Sequence, residues 1–506
     1  MIRISQLKLP AGHSKTELYH KAAKALHIKS EQIASLQIRR QSIDARKKPD
    51  IFLIYVVDIT LNGISEQNCV SRSKNKDVSI VTERPYQFPK PGTKALRRRP
   101  VIIGSGPAGL FCCYMLAQNG YRPILLERGK DVEARKKDVE AFWNGGPLNP
   151  ESNVSFGEGG AGTFSDGKLN TLIKDKDGRG RHVLSIFVEN GAQPEILYEA
   201  KPHIGTDVLS NVVKQMRKKI IQLGGEVRFE SRVETFRTEN GTLTGVILSD
   251  GSVIDTETAV LAIGHSARDT FFKLYESGLH MEAKAFAVGL RVEHPQELIN
   301  QSQYGTLHPD SLGAAPYKVT ARTSGGRGVY SFCMCPGGYV VNSSSDYGSD
   351  EPLAGIGFQR KLEEKAFSAG CGKIPVERYG DFSNTATTGH IPAEFVPTIK
   401  GQWTFADVKS VLPDSLSEAF IEGMEQFGHR IPGFDDANAV VSGIESRTSS
   451  PVRIVRDETL QANIRGVYPC GEGAGYAGGI TSAAMDGVRV AEAIASCYAP
   501  FSETGK

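Results

Sequence analysis

The sequence predicts an α/β protein: a discontinuous Rossmann-like nucleotide-binding domain, an α+β domain inserted into it, and a small α+β module ahead of both. Three observations carry this expectation. Residues 101–127 read as strand, glycine-rich turn, helix, strand and acid. Residues 466–496 return to strand, glycine loop and helix after a long irregular stretch. Residues 1–61 form a strand, helix and hairpin pattern of their own. The expected boundaries are 1–95 for the module, 96–274 for the first part of the nucleotide domain, 275–445 for the insertion and 446–506 for the return. A chain of 506 residues has room for two or three such domains.

In the module, residues 2–7 read as a strand. A helix is expected over 14–26, with Ser14 and Glu17 spaced as a capping box. Residues 36–45 and 51–61 read as a long antiparallel hairpin turned at Lys47-Lys48-Pro49-Asp50. Pro85, Pro89, Pro91 and Gly92 then read as a linker ending in three arginines, 97–99, which are candidates to sit near phosphate.

The first nucleotide-binding unit follows. Val101, Ile102 and Ile103 form a buried strand. The turn is Gly104-Ser105-Gly106-Pro107-Ala108-Gly109: Gly104 permits the tight turn, Gly106 lets a pyrophosphate approach the backbone, and Gly109 lets helix and sheet pack closely. The helix N-terminus offers free N–H groups and the positive end of a dipole. Glu127, 18 residues after Gly109, is placed to accept from the ribose hydroxyls of an adenosine. The pattern GxGxxG occurs three times, at 104–109, 157–162 and 473–478, so the pattern alone is weak. Only the first sits in a full strand–helix–strand context, which points to dinucleotide binding and to redox chemistry.

Further along, a helix is expected over 207–223, a strand over 226–230, and a meander over 232–254 turned at Asn240-Gly241 and Asp250-Gly251. Residues 258–265 form a buried strand running into Gly264 and His265.

Charge is uneven. Residues 1–100 hold 20 Lys/Arg against 8 Asp/Glu, while the whole chain is only +3. A basic module on an acidic body suits intramolecular docking or, as the alternative, a nucleic-acid partner. The opening residues lead into no apolar core segment and no run is long enough to span a bilayer, so neither leader nor membrane anchor is expected. The eight cysteines show no secreted disulfide spacing, which fits a reducing cytoplasm. No metal-ligand cluster is expected.

This arrangement resembles the flavoproteins of the glutathione-reductase-like FAD superfamily, on the branch shared by fumarate reductase and hydroxybenzoate hydroxylase. Glu127-Arg128-Gly129 continues the first motif as on that branch. Ala262-Ile263-Gly264 resembles its late ATG motif. Tyr468-Pro469-Cys470-Gly471-Glu472-Gly473 resembles its C-terminal G-D motif, with Glu472 where Asp is usual. More closely, the chain resembles a bacterial family of FAD-dependent (NAD/FAD-utilising) dehydrogenases. That likeness rests on residues 155–169, 289–295, 330–338 and 445–454 and spans nearly the whole chain.

The resemblance implies non-covalent FAD, held by Gly104, Ser105, Gly106, Pro107, Ala108, Gly109, Glu127, Arg128, Gly159, Gly160, Ala161, Gly162, Val233, Gly264, Gly471, Glu472, Gly479 and Ile480. It implies that Glu472 binds the ribityl chain and that the helix starting near Ile480 aims its N-terminus at the flavin pyrimidine ring. It implies hydride transfer on a small-molecule substrate of unnamed identity, with NAD(P)H as a candidate transient donor, since no second Rossmann unit is visible. A flavin-dependent RNA-modifying protein and a non-cycling FAD-binding protein are the alternatives.

Candidate catalytic residues are His265, Lys168, Cys333 and Cys335, with Asp166 beside Lys168 and His294 as a second proton carrier. Cys333 and Cys335 would share one face of a strand, as a redox pair or as small core residues. Arg291, Arg447 and Arg453 could form an anion site, or serve as interdomain ion pairs.

Overall fold

A computed structural model describes residues 1–164, 167–171, 173–309, 312–331, 334 and 352–502. The module comprises β1 (Ile2–Pro10), α1 (Lys15–Leu26), β2 (Ile33–Lys47), β3 (Asp50–Leu61), α2 (Glu66–Ser73) and β4 (Val78–Ile80), with sheet order β2-β3-β1-β4. Ser14 and Glu17 cap α1 reciprocally, side chain to amide in both directions. Alternation along β3 turns Tyr55, Val57 and Ile59 into the module core.

The stretch expected as a linker is packed down. Gly92 N donates to Ala495 O at 2.7 Å, and a Cβ at Gly92 would lie 2.3 Å from Cys497 O. Arg99 is committed to Glu226 at 2.8 Å and to the carbonyl of Arg122, while Arg98 faces Asp255 at 3.9 Å. These arginines precede the first strand of the nucleotide domain, at the end of the sheet opposite its glycine turn. Arg98 and Arg99 there face acids of the neighbouring strands.

The body begins with β5 (Val101–Ile103), α3 (Pro107–Gln118), β6 (Ile124–Leu126), α4 (Val132–Trp143), α5 (Arg179–Glu189), α6 (Thr206–Gln222) and β7 (Glu226–Arg228). The meander is β8 (Val233–Glu239), β9 (Thr242–Leu248) and β10 (Val253–Asp255), followed by β11 (Ala259–Leu261) and α7 (Arg268–Glu276). The insertion holds β12 (Met281–Ala283), β13 (Gly289–Glu293), α8 (Gln296–Tyr304), β14 (Val319–Arg322), β15 (Gly328–Ser331), α9 (Ala354–Ala369), β16 (Ile374–Arg378), α10 (Tyr379–Ser383), β17 (Trp403–Phe405), α11 (Asp414–Gly428) and β18 (Val440–Glu445). The return is β19 (Val452–Ile454), β20 (Val467–Pro469) and α12 (Ile480–Cys497).

Five parallel strands lie in the order β20-β11-β5-β6-β7. Each of the three central strands is buried on both faces, as parallel sheets require. Ile102, Leu125 and Val260 face a core shared with α3, α5, α6 and α12. Val101, Ile103 and Leu261 face the other way, against the meander and α7. The return strand β20 pairs with β11 although some 200 residues separate them, so the nucleotide domain is discontinuous.

β12 pairs antiparallel with β19, and there the chain leaves and re-enters this domain. The expected boundary after residue 274 falls inside α7, because Leu279 and Met281 still pack against the sheet. The inserted sheet runs β13-β18-β16-β17 over a core that includes Tyr379, Phe427 and Phe434. Among the described residues, no helix is long and apolar enough to cross a membrane.

Helices α3 and α12 pack closely. A Cβ at Gly487 would lie 2.1 Å from Ala108 O. Gly487→Val is expected to lower the unfolding free energy by at least ~3 kcal/mol through forced overpacking. Gly241→Ala, at an open turn position with φ +73, should cost only about 1 kcal/mol. Denaturant midpoints of the two variants check the contrast.

Candidate functional site

The glycine loops meet at the C-terminal ends of the parallel strands, where ligands bind in open α/β sheets. Gly104 turns with φ +98, and a Cβ there would lie 2.4 Å from Ala262 O. Gly106 caps α3 without any side-chain hydrogen bond, and Pro107 follows at the first helical position. The second glycine loop lies across the first: a Cβ at Gly160 would come within 3.1 Å of Gly106 Cα, and Gly159 N donates to Ser105 O at 3.0 Å. The same loop reaches α12, because a Cβ at Gly162 would touch Ile480 Cδ1 at 3.3 Å. Thr481 Oγ1 donates to Leu169 O at 2.6 Å and fixes that approach. Ala161 lies between these contacts, in the single helical turn Gly160–Phe164.

Glu127 is only 5% exposed and does more than its motif suggests. One carboxylate oxygen accepts from Ser105 N at 2.9 Å and from its hydroxyl at 2.7 Å. The other accepts from Gly129 N at 2.9 Å and Gly157 N at 3.0 Å. These four bonds fill its four ordinary acceptor positions, so a ribose would have to share or displace one of them. Arg128 is likewise engaged, with Asp269 at 2.9 Å and Glu151 at 3.0 Å, its guanidinium lying over the Phe156 ring. Val233 is buried at the start of β8, two residues after Ser231, whose amide donates to Glu127 O.

Arg135, on α4, has no exposed surface. It donates to the carbonyls of Asn153, Val154, Glu158 and Gly160 at 2.8–2.9 Å and to Thr163 Oγ1 at 2.9 Å. Burial pushes its pKa down to about 10, and the Glu127 and Glu158 charges oppose that drop. It therefore stays protonated at neutral pH. No motif singled it out; a lone arginine on a polar-looking helix carries no local sign that its partners are loop carbonyls.

On the return side, Gly264 (φ +70) meets nothing within 4 Å of a Cβ position, and Gly473 abuts its carbonyl. Asp486 accepts from Gly471 N at 2.8 Å and forms a two-pronged pair with Arg456, at 2.7 and 3.0 Å. That pair holds the 471–473 turn, and both residues were missed in the sequence. Gly478 and Gly479 have open space where side chains would be, and α12 has no capping side chain. Gly106, Gly264, Gly478 and Gly479 thus line a bare backbone cradle between two uncapped helix N-termini. That surface suits a ligand with phosphates and a flat ring.

His265 Nδ1 stands 3.7 Å from Glu472 Oε1. Burial pushes the His265 pKa down to about 4, and the charges of Arg447, Arg268 and Lys284 push the same way. Burial raises the Glu472 carboxyl to about 7, opposed by Lys284. Near neutrality the imidazole is uncharged and the carboxyl is close to half protonated. Lys168 pairs by backbone with His203 and extends its ammonium to Met334 O. Asp166, Cys333 and Cys335 lie outside the described residues.

The expected cluster of Arg291, Arg447 and Arg453 does not form an anion site. Arg291 pairs with Glu445. Arg447 pairs with Glu363 at 3.3 Å, and Arg268 reaches the same carboxylate at 3.5 Å. Arg453 lies over the Tyr476 ring, 5.5 Å from its centre. Glu363 is fully buried, so its charge demands these partners. His294 is also committed, with Nε2 at 2.7 Å from Phe434 O and burial holding its pKa at about 4. Beside it, a cavity of about 1870 Å³ occupies the insertion, bordered by Leu290, Tyr317, Phe420 and Phe427 and reaching Gly478 at the cradle. Among the described residues, no group of three His, Cys, Asp or Glu is placed to hold a metal.

Comparison with known proteins adds three family matches. Residues 102–146 match the NAD(P)-binding Rossmann-like domain. Residues 285–350 and 344–448 match the C-terminal domain-like region of FAD-dependent proteins. Residues 1–60 match a domain of unknown function. An uncharacterized protein of Clostridium beijerinckii is 44% identical over 529 residues, covering 97% of this chain and 98% of that one. The chain belongs to the FAD-dependent oxidoreductase family. It is an enzyme, its cofactor is FAD, and its chemistry is oxidoreduction. Among solved structures, glycine oxidase from Bacillus cereus aligns at 13% identity over 79% of this chain and 95% of that one, with a TM-score of 0.32. THI4 of Thermovibrio ammonificans aligns at 19% identity over 37% of this chain and 63% of that one, with a TM-score of 0.25.

Two outcomes test this site. Arg135→Met leaves several loop carbonyls buried without donors, and is expected to cost ~3–5 kcal/mol of stability and to release FAD on dialysis. In the FAD-free protein, Glu472 holds its proton more tightly folded than unfolded. Its stabilising contribution is therefore complete below pH 4.5 and is lost as pH rises through about 7, by on the order of 2–3 kcal/mol. Glu472→Gln should remove that component of the pH dependence, measured by urea unfolding between pH 4.5 and 8.

Proposed function

We propose that FAD lies in the bare cradle, with its pyrophosphate at the uncapped N-terminus of α3 and its ring near the start of α12. The carrying observation is the convergence of Gly106, Gly264, Gly478 and Gly479 at one end of the sheet, where backbone alone faces the space. The finer placement on the glutathione-reductase-like branch rests on the first motif, the strand ending at Gly264 and the turn at Gly471. When bound, FAD supplies hydride transfer, a chemistry that no side chain of this site offers.

The chain's own residues would then do four things. The α3 amides bind phosphate, with Ser105, Glu127 and Arg135 holding the loop in shape. The α12 N-terminus presents its positive dipole end to developing negative charge. Glu472, its carboxyl raised toward neutrality, is the group able to give or take a proton there, while His265 beside it stays uncharged. The inserted domain covers the cradle and excludes water from its cavity. The substrate is a small molecule entering that cavity, and NAD(P)H serves as a transient donor without a second Rossmann unit. The buried, unpaired thiols of Cys112, Cys113 and Cys470 support a reducing cytoplasm as its location.

The purified protein is expected to be yellow and to release FAD on denaturation. Anaerobic NADH or NADPH should bleach the visible band. Bound FAD that neither nucleotide bleaches would remove nicotinamide from the scheme. A colourless protein that cannot be reconstituted with FAD would overturn the cradle assignment.

A further inference from the structure

We propose that the N-terminal module belongs to the substrate site: its β2–β3 turn walls the inserted-domain cavity and places Lys48 there to select a large, mainly apolar molecule carrying an anionic group. The inference rests on reading that cavity as the substrate site of the FAD enzyme.

The module does not sit apart from the body. Ile51 and Leu53 share one face of β3, yet they lie in different cores, Ile51 in that of the insertion and Leu53 in that of the module. Ala11 and Ala45 pack against the same inserted core as Ile51. The turn between β2 and β3 presses on the end of α8. A Cβ at Gly305 would lie 3.0 Å from Lys48 Cβ, and Pro49 Cα is next at 3.7 Å. The Lys48 ammonium donates to Ser302 O in the last turn of α8. Further back, Gln41 pairs by backbone with Tyr198 and Ala200 of the nucleotide domain. The hairpin is thus held against two domains, with its turn on the insertion.

Lys48 borders the cavity. An ammonium has three donors, and one goes to Ser302 O, which leaves two for a ligand. The module supplies the wider field as well. Residues 1–100 carry 20 Lys/Arg against 8 Asp/Glu, whereas the rest of the chain is net acidic. A net-positive module on an acidic body biases the local field toward anions. Val288, Leu290, Phe420, Met424 and Phe427 make an apolar wall, and the lining also carries Arg327 and Arg430, the acids Glu293 and Glu297, and the Arg291–Glu445 pair. The cavity's volume of about 1870 Å³ exceeds the roughly 300–1,000 Å³ of common small-molecule pockets. The ligand class is therefore a long-chain or polycyclic carboxylate, or a comparable anion.

The test uses the full-length holoprotein with dodecanoate and dodecanol as matched probes below their aggregation limits, read by calorimetry and by the bound-flavin spectrum. Wild type should bind dodecanoate about tenfold more tightly than dodecanol. Lys48→Glu should abolish that preference while dodecanol binding and retained FAD stay unchanged. Leu290→Trp, which fills the wall, should weaken both probes about tenfold or more. An unchanged carboxylate preference in Lys48→Glu would overturn the role of Lys48. Failure of both probes to bind a protein that keeps its FAD would overturn the substrate-class assignment while leaving the cofactor site standing. A wild-type protein without FAD would instead overturn the underlying functional reading.

Discussion

Two buried charges hold the site together. The Glu127 carboxylate gathers amides from the first glycine turn, from Gly129 and from Gly157, while the Arg135 guanidinium gathers carbonyls from residues 153 to 160. One binds donors and the other binds acceptors of the same set of loops. Glycine-rich loops lose much backbone entropy on ordering and bury few side chains in return. Without a fixed anion and cation to satisfy their polar groups, they would have little reason to adopt one shape. The charges also need the loops, since an unpaired ion at that depth would be costly.

The same logic recurs on the return side and between the domains. Asp486 and Arg456 hold the 471–473 turn beside Glu472. Glu363 binds Arg268 from the nucleotide domain and Arg447 from the returning chain. In each case a buried ion pair fixes the relation between segments distant in sequence, and the apolar cores provide the surrounding support. The cradle is left with backbone and little else, and that makes it a place where a flat, charged cofactor can lie.

How much of this was legible in the chain differs by residue. The turn at 104–109 could be read because strand, glycine and helix are contiguous and each carries a local steric reason. The capping box at Ser14 and Glu17 was legible for the same reason. Glu127 was found, but as a ribose ligand; its partners, three backbone amides and the Ser105 hydroxyl, come from three separate turns and leave no local trace. Arg291, Arg447 and Arg453 could be read as an anion site or as ion pairs, and Arg291 and Arg447 prove to be ion-paired. Their counterions, Glu445 and Glu363, become visible only once α9 and β18 are packed. Arg135 and Asp486 carried no signal at all.

By itself the sequence determined the α/β class, the nucleotide-binding turn, the return of the chain to its first domain and the basic character of the module. These follow from patterns spanning a few to about thirty residues, within which propensity, periodicity and steric need act directly. Only the tertiary structure decided which loops touch, which charges are paired, and that the β2–β3 turn reaches the inserted domain. Those outcomes depend on long-range packing, where a charge is driven to a particular partner by desolvation, and desolvation exists only after the chain has folded around it.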